Sequence, residues 1–208
     1  MYDALLFDLD GTLIDTETIA ATTGIAAFAA QGLTVDEVFM HGLIGKDEPS
    51  AARIIAAAMP HLDLTALSHH WRGGFEAGLA RGLPLKPGAA QLLSAFEIPR
   101  ALVTSSGRPG AHHKMGLAGI AGAFAHVVTL NDVNAPKPAP DPYLLAAQLL
   151  GVDPARCLVF EDSETGAESA HRAGCVVVQV PDILPSQGRW AHHLAPDLLT
   201  GARMAGLL

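Results

Sequence analysis

The stretch Ala4-Leu5-Leu6-Phe7-Asp8-Leu9-Asp10-Gly11-Thr12-Leu13-Ile14-Asp15 decides the fold. Its apolar run reads as a buried strand, and two carboxylates two residues apart stand at the carboxyl end, where an open α/β sheet presents its chemistry. Side chains alternate across a strand, but the chain must leave the strand here. Gly11 can turn the backbone so that Asp8 and Asp10 face one crevice. Two acids held together attract a hard cation, and one can act as a nucleophile while the other moves protons.

Outward from this stretch, short apolar runs alternate with helical patterns. Strands are expected at Ala4–Leu9, Arg100–Thr104, His126–Leu130, Cys157–Phe160 and Cys175–Val180. Between the last four runs, and ahead of them, lie helical stretches at Gly88–Phe96, Pro109–Leu117, Asp141–Leu150 and Thr165–Ala173. They supply the crossovers that parallel neighbours need, so the fold class is α/β, a doubly wound parallel sheet. From Thr16 to Leu83 the rhythm breaks. Helical patterns at Glu17–Ala30, Thr34–Met40, Pro49–Met59 and Leu64–Ala80 come with no convincing strand, which predicts a small helical cap inserted after the first strand. The expected division is a catalytic core of residues 1–15 and 84–208 with a cap of residues 16–83.

The 208 residues carry a formal charge of −8 with 16% charged and 50% hydrophobic residues, a well-buried globular composition. An acidic chain argues against nucleic acid or an anionic membrane as partner, since both require a basic face. No basic segment precedes the first strand, and no apolar run approaches the roughly 18 residues that span a bilayer. A cytoplasmic protein, monomeric or a weak homodimer, is the expectation. Cys157 and Cys175 sit in or beside apolar runs and read as core thiols. The histidine pairs 69–70, 112–113 and 192–193 lack metal-site spacing, because adjacent helical residues point about 100° apart. Trp71, Arg72 and Phe75 read as packing and a solvated charge.

Three further elements carry chemistry. Ala101-Leu102-Val103 runs into Thr104-Ser105-Ser106-Gly107, a hydroxyl turn whose side chains and amides suit a phosphate ahead of a helix. Asn134-Ala135-Pro136-Lys137-Pro138-Ala139-Pro140 frames one lysine with prolines, so Lys137 can bring a positive charge to a phosphoryl oxygen or to the nucleophilic carboxylate. Leu158-Val159-Phe160-Glu161-Asp162 is another strand ending in carboxylates, which with Asp8 could give Mg2+ its protein oxygens.

These four elements, in this order and each at a strand end, resemble the haloacid dehalogenase (HAD) superfamily, in particular its phosphatases and phosphomutases with a helical cap. The resemblance implies that Asp8 is a nucleophile forming an aspartyl-phosphate and that Asp10 protonates the leaving alcohol and then activates water. It also implies that Thr104, Ser105 and Lys137 hold the phosphate. The metal set would be Asp8, Asp10 through its backbone carbonyl, Asp162, and Glu161 as a ligand or a partner of the ligands. Lys46, in a turn of the cap, is a candidate for substrate specificity. The expected activity is magnesium-dependent hydrolysis of a small phosphorylated metabolite, a sugar or organic-acid phosphate. A sugar phosphomutase of the β-phosphoglucomutase type is the rival, although such enzymes carry a histidine where this chain has Ala20. A non-catalytic phosphoacceptor module also clusters carboxylates, a hydroxyl and a lysine, but does not open with a paired D-L-D.

Overall fold

The computed structural model describes residues 1–43 and 48–208, with Glu48 and Pro49 described by backbone alone. Lys46 lies outside the described residues. The chain forms two compact units, Met1–Asp15 with Pro84–Leu208, and Thr16–Leu83.

The first unit is built on six strands, β1 (Ala4–Phe7), β2 (Arg100–Val103), β3 (His126–Val128), β4 (Cys157–Glu161), β5 (Val176–Gln179) and β6 (His193–Leu194). They lie in the order β3-β2-β1-β4-β5-β6, and every neighbouring pair is parallel. The register sets Leu6 beside Ala101 on one side and Val159 on the other. The chain winds outward from β1 to β3 and returns to β4 on the opposite side of β1. Such a reversal opens a crevice at the carboxyl ends of the two strands, here β1 and β4. Strands covered on both faces have no need of alternation. All four residues of β1 are fully buried, and Phe7 stacks on Phe160 with ring centroids 5.1 Å apart.

Helices α5 (Ala89–Ser94), α6 (Arg108–Leu117), α7 (Asp141–Leu150), α8 (Glu164–Arg172) and α9 (Leu198–Met204) belong to the same unit. Their ends follow from local chemistry. Pro109 occupies the first turn of α6, where its missing N–H costs nothing, and Gly151 closes α7 at φ 70°, a region open to glycine. The Ser163 hydroxyl accepts the Gly166 N–H at 3.1 Å and starts α8.

Several boundaries differ from the pattern reading. β1 ends at Phe7 rather than Leu9, because the backbone turns at Gly11, φ 83°, and Leu9 instead accepts bonds from Leu13 and Ile14. β3 stops at Val128, where the Thr129 amide and hydroxyl bind the Asp132 carboxylate and wind Leu130–Asp132 into a 3-10 turn. β6 and α9 are missing from the expectation, since a two-residue strand and a seven-residue helix carry too little periodicity. Cys157 and Cys175 are free and buried.

The second unit contains α1 (Thr16–Ala29), α2 (Glu37–His41), α3 (Glu48–Ala58) and α4 (Leu64–Arg81). Asp36 and Asp63 cap α2 and α4 by accepting backbone N–H bonds. The unit has its own core, in which Phe28, Met40, Ile55 and Leu67 are buried. Trp71 packs on this cluster while its Nε1 donates to the Ala20 carbonyl at 3.0 Å. Among the described residues, no helix is long and apolar enough to cross a membrane.

Candidate active site

The carboxyl end of β1 delivers Asp8 into the crevice, where it is only 6% exposed. Its Oδ1 accepts from the Lys137 ammonium at 2.7 Å. The same ammonium donates to Glu161 Oε1 at 2.6 Å and to the Val103 carbonyl at 2.9 Å, so its three protons bind the ends of β1, β2 and β4 together. Glu161 is fully buried, and its other contacts come from the Tyr143 hydroxyl at 2.7 Å and the Ser163 hydroxyl at 3.2 Å. A carboxylate so occupied by donors is an anchor for Lys137. Gly166 makes room for it, because a Cβ there would overlap the Glu161 carboxylate.

Burial pushes the Asp8 carboxyl up to about 7; Lys137 pulls it down and the charge of Glu161 pushes it up again. For Lys137, burial acts to lower the pKa, but Asp8 and Glu161 more than reverse this and hold it above the usual lysine range. Tyr143 is raised well above its ordinary value, first by burial and then by the negative charge of Glu161. It therefore stays a neutral donor.

Asp10 projects toward a different cation. Both of its carboxylate oxygens accept from the Lys114 ammonium, and Oδ2 also accepts from the Ser106 hydroxyl at 2.8 Å. Lys114 donates to Ser106 at 2.8 Å as well, which closes a three-membered network. Lys114 does not stand out in the sequence, and Ser106 does so only as one member of the hydroxyl turn, with nothing to mark Asp10 as its partner. Lys114 occurs in the last turn of α6, where a lysine ordinarily faces water, yet it is only 9% exposed. Its one signal is its spacing on α6 from Ala111 and Met115, which mark the buried face. Thr104 is buried at the end of β2, its N–H donating to Val128 and its hydroxyl accepting the Ser106 N–H at 3.0 Å. Ser105 is exposed.

Asp8, Glu161 and Asp162 each offer an oxygen within 4.8 Å of the others. Such an all-oxygen set suits a hard divalent cation and disfavours zinc, which prefers nitrogen and sulfur. With Glu161 engaged as described, Asp8 and Asp162 are the two carboxylates best placed to hold an ion. Thr12 donates to Asp162 at 3.4 Å. Beyond β5, Asp182 pairs through Oδ1 with Lys86.

Comparison with known proteins bears on this geometry. Residues 2–174 match the family model described as haloacid dehalogenase-like hydrolase. Hexitol phosphatase A of Escherichia coli is 38% identical over 184 residues, covering 84% of this chain and 81% of that protein. Fructose-1-phosphate phosphatase YqaB of Escherichia coli is 32% identical over 182 residues, covering 86% of this chain and 96% of that protein. The crystal structure of CbbY from Rhodobacter sphaeroides in complex with phosphate superposes with a TM-score of 0.74 at 27% identity, covering 100% of this chain and 99% of that one. A six-stranded parallel sheet with acidic residues converging at the ends of β1 and β4, together with these similarities, places the chain in the haloacid dehalogenase-like hydrolase family, as a phosphoric monoester hydrolase.

Proposed function

We propose that the protein is a magnesium-dependent phosphatase of small sugar or organic-acid phosphates that works through an aspartyl-phosphate on Asp8. The observation that carries this reading is the separation of two carboxylates onto two different lysines, Asp8 onto Lys137 and Asp10 onto Lys114. One acid can then attack phosphorus while the other handles protons. The Asp8 oxygen forms a bond to phosphorus as the bond to the ester oxygen breaks. Asp10 gives that leaving oxygen a proton, and afterwards takes one from the water that cleaves the acyl phosphate. Lys137 holds Asp8 in place, and the Thr104 hydroxyl and the Ser105 amide offer donors to the phosphoryl oxygens.

Asp8 and Asp162 would hold Mg2+, with the Asp10 carbonyl by family resemblance and Glu161 acting through Lys137. Bound there, the cation would offset charge on the phosphoryl oxygens. Support for sugar phosphates comes from the hexitol and fructose-1-phosphate phosphatases among the relatives. Ala20, where β-phosphoglucomutases carry a histidine, favours hydrolysis over transfer back to a sugar. In this reading the helical unit Thr16–Leu83 carries selectivity, because the strand-end residues address only the phosphoryl group that all candidates share.

The test is phosphate release from a panel of hexitol, hexose and organic-acid phosphates with Mg2+. Asp8→Asn should abolish turnover while leaving the fold intact, since an amide cannot form the phosphoenzyme. Turnover near the wild-type rate in that variant would exclude covalent catalysis by Asp8.

A further inference from the structure

Asp182 lies three residues past the end of β5, outside every motif that marks the family in this sequence. Its Oδ1 meets the Lys86 ammonium, while its Oδ2 is buried and has no hydrogen-bond partner among the described residues. A buried carboxylate oxygen left without a donor loses its hydration with nothing in return, and such groups are rare in folded proteins. Gly11 shows what Oδ2 faces. A Cβ at Gly11 would stand 2.9 Å from the Asp162 carboxylate carbon and 3.4 Å from Asp182 Oδ2. The two carboxylates therefore border one small space, kept open by the absence of a side chain on the residue that follows Asp10.

We propose that Asp182 is an outer partner of the divalent-metal site, its inward oxygen accepting a hydrogen bond from a water carried by the cation at Asp8 and Asp162. Mg2+ gives up its waters reluctantly and retains several of them in protein sites, so an acceptor beside the ligands has a donor to meet. Lys86 has a definite part in this arrangement. Its backbone N–H donates to the Leu13 carbonyl at 2.9 Å, which ties it to the turn that follows Asp10, and its ammonium takes the outer oxygen of Asp182. One oxygen of Asp182 is thereby fixed on Lys86 and the other is aimed inward. Asp182 is a positioning residue that orders the water shell of the ion and touches neither substrate nor the reacting atoms.

The inference rests on the magnesium reading above, and the experiment separates the two. Metal-free protein is titrated calorimetrically with MgCl2 alone, with no substrate present. Asp162→Ala, which should lose binding, identifies the site. In Asp182→Asn the lysine still requires an acceptor, so the amide oxygen turns to Lys86 and the NH2 group points inward, where it cannot accept from a water. Mg2+ affinity should fall about tenfold or more, the range seen when outer partners of metal ligands are removed. The double variant Lys86→Met with Asp182→Ala deletes both halves of the ion pair and leaves the net charge unchanged. It should show a comparable loss, and it covers the case in which Asp182→Asn does not fold. Affinity within twofold of wild type in either folded variant overturns the proposal and makes Asp182 a structural tether for Lys86. Wild-type protein that takes up no Mg2+ removes the magnesium reading and this proposal together.

Discussion

Asp8 bears the largest tension at the residue scale. Its carboxyl is raised to about 7 because burial penalises its charge, and Lys137 relieves that penalty only in part. An acid whose folded pKa lies above the unfolded value of about 3.9 contributes stability that is fully present below the unfolded value. That contribution is lost as the pH rises through the folded pKa near 7. The metal-free protein should therefore lose stability from this group between those limits. A cation must displace the proton before it can bind. Apparent Mg2+ affinity should then fall by about tenfold per pH unit below the Asp8 pKa, with proton release detectable by calorimetry in buffers of different ionisation enthalpy. Constant affinity over that range would show that Asp8 is ionised throughout. For Asp10→Asn the expectation differs. Transfer to Asp8 should survive with an activated aryl phosphate, whereas hydrolysis should stall for want of a base, so phosphoenzyme should accumulate and be trapped by acid quench. Its absence would count against Asp10 as that base. At this scale Asp8, Lys137, Glu161 and Asp162 are legible because each stands where an apolar run or a proline frame stops. Ser106 and Lys114 are not, since a hydroxyl in a turn and a lysine in a helix carry no local sign of what they will meet.

Among the elements, β4 and α8 depend on each other through one atom-sized gap. Glu161 ends the strand, Ser163 caps the helix, and Gly166 in the first turn lets the helix backbone approach the Glu161 carboxylate. Because Lys137, Tyr143 and Ser163 all grip that carboxylate, it cannot simply swing aside. Gly166→Ala, which elsewhere in a helix would favour folding, should instead destabilise the protein by about 1–3 kcal/mol, as overpacking of a filled interior does. Denaturant unfolding measures this, and an unchanged or raised midpoint would show that the helix shifts freely. An Asp8-dependent activity should fall with it, since Lys137 is held from the same carboxylate. The start of α8 is readable from Ser163 and the acids beside it, whereas the reason for glycine three residues later is not. That reason is a neighbour from the strand before it, visible only when the turn is built.

For the whole molecule, stability should be graded by position in the sheet. β1 and β4 have partners on both sides and bury every residue, while β6 pairs on one side only and keeps Leu194 exposed. Amide exchange followed by mass spectrometry should find the slowest peptides over Ala4–Phe7 and Cys157–Glu161, and much faster exchange over His193–Leu194. Equal protection across the sheet would contradict this ranking. The sheet's class is legible because parallel strands buried on both faces write themselves as unbroken apolar runs, as at Leu158-Val159-Phe160. Its outer strand and last helix are not, for β6 borrows its place from β5 rather than from any pattern of its own.

The central position of β1 has a consequence for biosynthesis. This strand precedes all the others in the chain, yet both its neighbours come far later, β2 beginning at Arg100 and β4 at Cys157. At translation rates of about 5–20 residues per second, the nascent Ala4–Phe7 segment waits on the order of ten seconds for its second partner. The helical stretch Thr16–Leu83, with a core of its own, can fold during that interval. The central strand is thus laid before either of its neighbours, and until the β4 segment emerges, an apolar segment with at least one open edge depends on whatever holds nascent chains apart.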